Sequence, residues 1–257
     1  SWVIIAGMQS SNAYIVIGTI NDSTLEITFG TPVDSLLNST SGDPMQIAHD
    51  KNRDVYALAM ATSAGPYLIP FTVSGTVPTF GTGVQVDTLT SQAGASVAWN
   101  PSNGHFVFSH VESASDDLYH TVYRLDQGAL TFQEVSQIIV AGTYGSFVQS
   151  YFHEKSNSIL VFTITTNGFA TFLQFTDANT VLNHEIIQAT DTSQRICIDQ
   201  PTGDIYFVNN QFVLKYKWLN NYARSEYQSH STDDTSYWAG TSFIDAKTSM
   251  FPVFDPE

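Results

Sequence analysis

The chain has 257 residues, enough for one large all-β domain or two small ones, and its 42% hydrophobic and 13% aromatic content can fill a sizeable core. Lys and Arg number 9 against 24 Asp and Glu, a formal net charge of −15, which excludes nucleic acid and anionic membrane surfaces as natural partners because both need clustered cations. A single cysteine, Cys197, excludes an intrachain disulfide, and no apolar run approaches the ~18 residues needed to span a bilayer.

Taken in order, residues 2–6, 14–20 and 25–33 read as three strands of a unit whose first strand is missing. The opening SWVIIAGM carries no basic region and is too short for a secretion leader. Residues 47–86 give the clearest unit. Strands at 47–49, 55–61, 67–73 and 78–86 are separated by Asp50-Lys51-Asn52-Arg53-Asp54, Ser63-Ala64-Gly65 and Ser74-Gly75. Short apolar runs with polar and glycine punctuation predict a four-stranded antiparallel meander. The pattern returns over residues 45–90, 95–140, 146–188 and 194–228. The tail at 237–257 supplies a further first hairpin. A repeat of about this length predicts an all-β propeller of four-stranded blades. Joining 1–36 to 237–257 closes one domain over 1–257 with five blades and no open edge.

The register rests on the first turn of each unit. An Asp, Asn or His is followed, four residues on, by a turn residue: Asp50 to Asp54, Asn100 to Gly104, His153 to Asn157, Asp199 to Gly203 and Asp245 to Ser249. A side-chain oxygen at the head of such a turn can accept from its own backbone two residues later. A second marker is Phe29-Gly30-Thr31-Pro32-Val33, which recurs as Phe80-Gly81-Thr82-Gly83-Val84. Phe132-Gln133-Glu134-Val135 and residues 182–186 hold the same place in later units. Glycine there predicts an edge-strand bulge rather than a ligand contact.

These motifs carry a resemblance. Gly18-Thr19-Ile20 with the Phe29 marker, and residues 73–81 with Asn100-Pro101-Ser102-Asn103-Gly104, are similar to propeller repeats of tail-fibre and other virion proteins of tailed bacteriophages. The likeness covers residues 14–140 and fades after 150. It implies an extracellular virion module that binds a host-surface glycan or another virion protein, with homo-oligomerisation within a fibre. It carries over no ligand residues.

The chemistry-bearing residues are sparse. None of the seven histidines has zinc-ligand spacing, and those in or beside turns, His49, His105 and His153, read as solvated. Asp116-Asp117 and Asp233-Asp234 sit in the longer polar loops and offer oxygen ligands for a surface Ca²⁺, without EF-hand spacing. No other cofactor is expected. Asn21-Asp22-Ser23 and Asn38-Ser39-Thr40 fit the glycosylation sequon. Cys197, between two isoleucines, reads as a buried thiol, and Trp99 as core. A glycoside-hydrolase reading would use Asp50, Asp199 and Asp245. Their shared repeat position argues for turn chemistry instead, since an acid and a base need unlike environments. Function on a rigid scaffold concentrates in loops. The sequence therefore places ligand contacts at Asp116, Asp117 and Tyr119 on one loop and at Tyr237 and Trp238 on another. A passive spacer is the alternative.

Overall fold

A computed structural model describes residues 2–226 apart from 10–11, 39–44, 63, 88–91, 113–114, 143, 166–168, 176–180, 184–186, 189–194, 209–212 and 220–221. It shows five antiparallel sheets in chain order. The first holds β1 (Trp2–Gln9), β2 (Asn12–Ile20), β3 (Ile27–Phe29) and β4 (Val33–Asn38). The second holds β5 (Gln46–Asp50), β6 (Val55–Thr62), β7 (Gly65–Ser74), β8 (Val77–Phe80) and β9 (Val84–Gln85). The third is β10 (Gln92–Asn100), β11 (His105–Glu112), β12 (Leu118–Asp126) and β13 (Thr131–Val140). The fourth is β14 (Tyr144–His153), β15 (Ser158–Thr165), β16 (Phe169–Phe175), β17 (Val181–Asn183) and β18 (Ile187–Gln188). The fifth is β19 (Arg195–Asp199), β20 (Asp204–Val208), β21 (Val213–Leu219) and β22 (Tyr222–Glu226). The architecture is a β-propeller. Among the described residues the only helical element is a single 3₁₀ turn at Glu154–Ser156, and no helix is long and apolar enough to cross a membrane. The closing hairpin expected at 237–257, with Asp245, lies outside the described residues.

The core is the space between successive sheets. Strand alternation sends one face of each strand inward, as in β2, where Ala13, Ile15 and Ile17 are fully buried and the residues between them are not. Those three pack on Leu58, Met60, Ile69 and Phe71 of the second sheet. Ala57, Ala59 and Leu68 meet Phe106, Phe108 and Tyr123 of the third, and Val107, Val111 and Leu118 meet Ile159, Val161 and Phe175 of the fourth. Each large side chain so buried contributes roughly 1.5–3 kcal/mol. Trp99 is half-buried against the second cluster, and Cys197 is buried.

The outermost strand differs from the uninterrupted ones predicted at 25–33 and 78–86. It is broken in the first, second and fourth sheets, where β3 and β4 both pair β2, β8 and β9 both pair β7, and β17 and β18 both pair β16. In the third sheet it slips by one residue opposite Val122 and Tyr123. Glycine marks the break for a packing reason. Gly30 and Gly81 return their N–H groups to Ile17 and Pro70, and a Cβ on either would run into Thr76 or the Leu130 carbonyl.

The aligned turns sit side by side on one end of the propeller. Asp50 accepts from the amides of Asn52 (3.0 Å) and Arg53 (3.3 Å), and Asn100 from Ser102 (3.0 Å). Each turn also touches the next. Arg53 lies over Gly104, Ser102 bonds Asn157, and Lys155 donates to the Thr202 carbonyl at 2.9 Å. His153 corrects the expectation of a solvated turn histidine. It is fully buried, accepts at Nδ1 from the Ser156 amide (3.2 Å) and donates from Nε2 to the Gly203 carbonyl (2.9 Å). An amide only donates and a carbonyl only accepts, so these partners set the neutral tautomer. His49, by contrast, is about one-third exposed, stacked on Tyr56 and bonded to Asp54 at 3.0 Å. Near the axis, Gln46 of β5 pairs with the Ser150 backbone of β14 through both amide atoms, at 2.7 and 3.3 Å, tying the second sheet to the fourth.

Candidate functional site

The turn register extends into the strands and shows where one sheet departs from the repeat. In the second sheet Ala59 pairs Leu68 and Met60 pairs Tyr67; in the fourth Phe162 pairs Phe172 and Thr163 pairs Thr171. The equivalent pairs in the third sheet are Ser109 with His120 and His110 with Tyr119. Two histidines thus occupy slots that hold Leu, Met, Phe or Thr elsewhere. Neighbours along a strand point to opposite faces, so His120 faces the fourth sheet and His110 the second.

His120 is 2% exposed. Its Nδ1 meets Ser109 Oγ at 2.9 Å and its ring lies on Phe175 at 3.5 Å and 7°. Burial pushes the imidazole down to about 3, so it is neutral at ordinary pH. It lines a cleft of about 230 Å³ between the third and fourth sheets. Asn100, Asn103, His105 and Ser136 supply the polar lining. Val107, Ile138, Ile159 and Phe175 form the apolar wall. The lining contains no Lys, Arg, Asp or Glu. A volume below the ~300–1,000 Å³ of sites for drug-sized ligands fits a compound of about one sugar ring.

His110 is fully buried, and neither ring nitrogen has a hydrogen-bond partner among the described residues. Its Nε2 lies 3.6 Å from Asp87 Oδ2, too far for a hydrogen bond. Burial pushes it down to about 4, against the opposing pull of Asp87 and Glu112. Tyr119 stacks on it at 5.0 Å and 20° and donates to Glu112 Oε2 at 3.1 Å.

Of the residues expected to bind ligand, three lie together here. Tyr119 lies not on the expected loop but within β12, where strand pairing with His110 half-buries it in this stack. Asp117 is half-buried, and its Oδ1 accepts from the Gly142 amide at 3.0 Å. Asp116 turns the chain at φ 57°, and its carbonyl accepts from the Tyr144 amide at 2.9 Å. Tyr237, Trp238 and the Asp233-Asp234 pair lie outside the described residues. Asp50 is fully buried within its turn, and Asp199 accepts from the Thr202 hydroxyl at 2.8 Å. Among the described residues no group of three His, Cys, Asp or Glu is placed to hold a metal. The cleft was not anticipated. Its signal was available, since carrying the turn register forward to residue 120 finds a histidine where the repeat calls for an apolar side chain.

No protein-family model matches the chain, and no curated protein matches it. Solved structures do. A protein from Lactobacillus plantarum aligns with a TM-score of 0.63 at 13% identity, covering 90% of this chain and 68% of its own. The lectin SapL1, solved with alpha methyl fucoside, aligns at 0.61 and 10% identity, covering 91% and 77%. The periplasmic gluconolactonase of Pseudomonas aeruginosa aligns at 0.56 and 10% identity, covering 93% and 70%. At such identities the likeness is one of fold, and a fold of this kind hosts many functions.

Proposed function

We propose that the protein is a carbohydrate-recognition propeller that takes one neutral sugar residue in the cleft between its third and fourth sheets. The observation that carries the reading is the cleft itself. Asn103, His105, His120 and Ser136 contribute polar side chains to its lining and Val107, Ile138, Ile159 and Phe175 apolar ones, with no charged side chain among them. A pyranose presents hydroxyls on its edges and C–H groups on its faces, and this lining offers both kinds of contact. Charged sugars would lose hydration without gaining a counter-charge. The structural likeness to a lectin solved with a fucoside supports the sugar class. Placement on a virion surface rests on the sequence resemblance alone.

The cleft brings no carboxylate pair to a bound sugar, so binding without turnover is the expected behaviour. The test is binding of neutral hexoses, deoxyhexoses and uronic acids by wild type and by His120→Leu, which restores the side chain of Leu68 at the equivalent slot. Neutral sugars should bind wild type, and His120→Leu should lose at least about tenfold in affinity (~1.4 kcal/mol). Undiminished binding in that variant would remove the cleft from the site, and hydrolysis by wild type would favour an enzyme.

A further inference from the structure

We propose that His110, Asp87 and Glu112 form an acid-responsive latch for the turn at residues 115–117, closed at neutral pH and opened by proton uptake. The site lies on the face of the third sheet opposite the cleft, so the inference is independent of the sugar-binding reading. The geometry has three parts. A fully buried imidazole stands without a hydrogen-bond partner among the described residues. It has one carboxylate 3.6 Å away, on Asp87 in the connection leaving β9. It is covered by Tyr119, which is itself held by a second carboxylate, on Glu112.

Glu112 also accepts from Ser115 Oγ at 2.8 Å, and the Glu112 carbonyl from the Asp116 amide at 2.8 Å. The same turn reaches the start of β14, with Asp117 taking the Gly142 amide and Asp116 the Tyr144 amide. The turn at 115–117, the Tyr119 cover and the amides of Gly142 and Tyr144 are therefore one hydrogen-bonded unit resting on a neutral ring. An imidazolium cannot stay buried without acceptors. The charged groups within its influence are Asp87, Glu112 and, above Tyr119, Asp117. Protonation of His110 draws Glu112 away from Tyr119 and Ser115, or lifts the cover so that water reaches the ring. Either movement loosens the turn that carries Asp116 and Asp117. At the equivalent slots Met60 and Thr163 carry no titratable group, so the device belongs to the third sheet alone among the second, third and fourth.

The experiment is amide hydrogen exchange of the full chain at about pH 7.5 and pH 5, corrected for intrinsic rates. Gly142 and Tyr144 report on the latch, and Gly104, bonded to the Asn100 carbonyl at the far end of the sheet, serves as reference. In wild type, exchange at Gly142 and Tyr144 should rise more than about tenfold in acid, with Gly104 unchanged. His110→Met, which installs the residue of the second sheet, should abolish the rise. Asp87→Asn, at a partly exposed side chain, should keep the rise, because the closed ring, with a pKa of about 4, is already mostly neutral at pH 5. An acid rise that survives in His110→Met, a rise shared equally by Gly104, or a rise lost in Asp87→Asn, which would make Asp87 the titrating group, would each overturn the latch.

Discussion

His110 and His120 lie ten positions apart on paired strands, and both are closed off from solvent on opposite faces of one sheet. His120 has a hydroxyl at 2.9 Å, an aromatic ring beneath it and a cleft beside it. His110 has no hydrogen bond among the described residues and a carboxylate just out of reach. The repeat holds an apolar or hydroxyl side chain in both slots elsewhere, so neither histidine is needed to build a blade. The contrast separates two uses of a buried imidazole. One is a satisfied neutral group presenting a polar edge to a cavity. The other is an unsatisfied group whose environment changes when it takes a proton.

The first way to break this contrast is to remove the ring under His120. Phe175→Ala deletes a nearly fully buried side chain of the third–fourth sheet core and should cost about 3–5 kcal/mol. Urea unfolding would measure it. The same variant should lose sugar binding while leaving the acid rise in exchange at Gly142 as in wild type, because His110 and its carboxylates lie outside the core cluster that holds Phe175. Coupled changes at both sites would show that they are one unit.

Acid should act on both histidines. Their folded pKa values, about 4 and about 3, lie below the usual 6.5, so below pH 6.5 the unfolded chain binds more protons than the folded one. The stability they carry is complete above about pH 6.5 and is lost progressively as pH falls toward 3–4. Together they account for several kcal/mol by pH 4, at roughly 1.4 kcal/mol for each tenfold difference in proton affinity between the folded and unfolded chain. Unfolding free energy against pH should be visibly flatter in His110→Met with His120→Leu than in wild type. Equal slopes would mean that carboxylates dominate the acid limb.

Near neutral pH the single variants should move in opposite directions. His110→Met removes an unpartnered buried polar group and should stabilise by about 1–2 kcal/mol. His120→Leu leaves the Ser109 hydroxyl without its partner and should destabilise by about the same amount. Two losses of similar size would assign His110 a hydrogen bond in solution and sharpen the search for it.

What the sequence makes legible follows the range of the interaction. The turns at Asp50 and Asn100 are readable because the side chain bonds its own backbone two residues on. The break in the outer strand is half readable. Glycine signals it, but the Thr76 and Leu130 atoms that exclude a Cβ come from distant chain. His153 is misread as solvated because its second partner, Gly203, belongs to the next sheet. Asp116 and Asp117 lie on the predicted loop, but Tyr119 belongs to β12, paired with His110, and the hydrogen bonds that tie Asp117 to Gly142 and Tyr119 to Glu112 depend on strand pairing. The cleft is harder still, since Phe175 and Ile159 reach it from another sheet.

The smallest expected effect concerns the turn acids, which the hydrolase reading would make essential. Asp199 accepts from the Thr202 hydroxyl at 2.8 Å, and its carbonyl accepts from the Gly203 amide at 2.7 Å. Asn100 serves the same turn position with an amide, so Asp199→Asn keeps an acceptor oxygen in place. It should change unfolding free energy by at most about 1 kcal/mol and leave sugar binding intact. The contacts of this turn with its neighbour, from Lys155 to the Thr202 carbonyl and from Gln200 to the Phe152 carbonyl, do not involve the Asp199 carboxylate. A variant that stays folded but loses a measurable hydrolytic rate would place a hydrolytic site at the ring of turns, apart from the cleft between the third and fourth sheets.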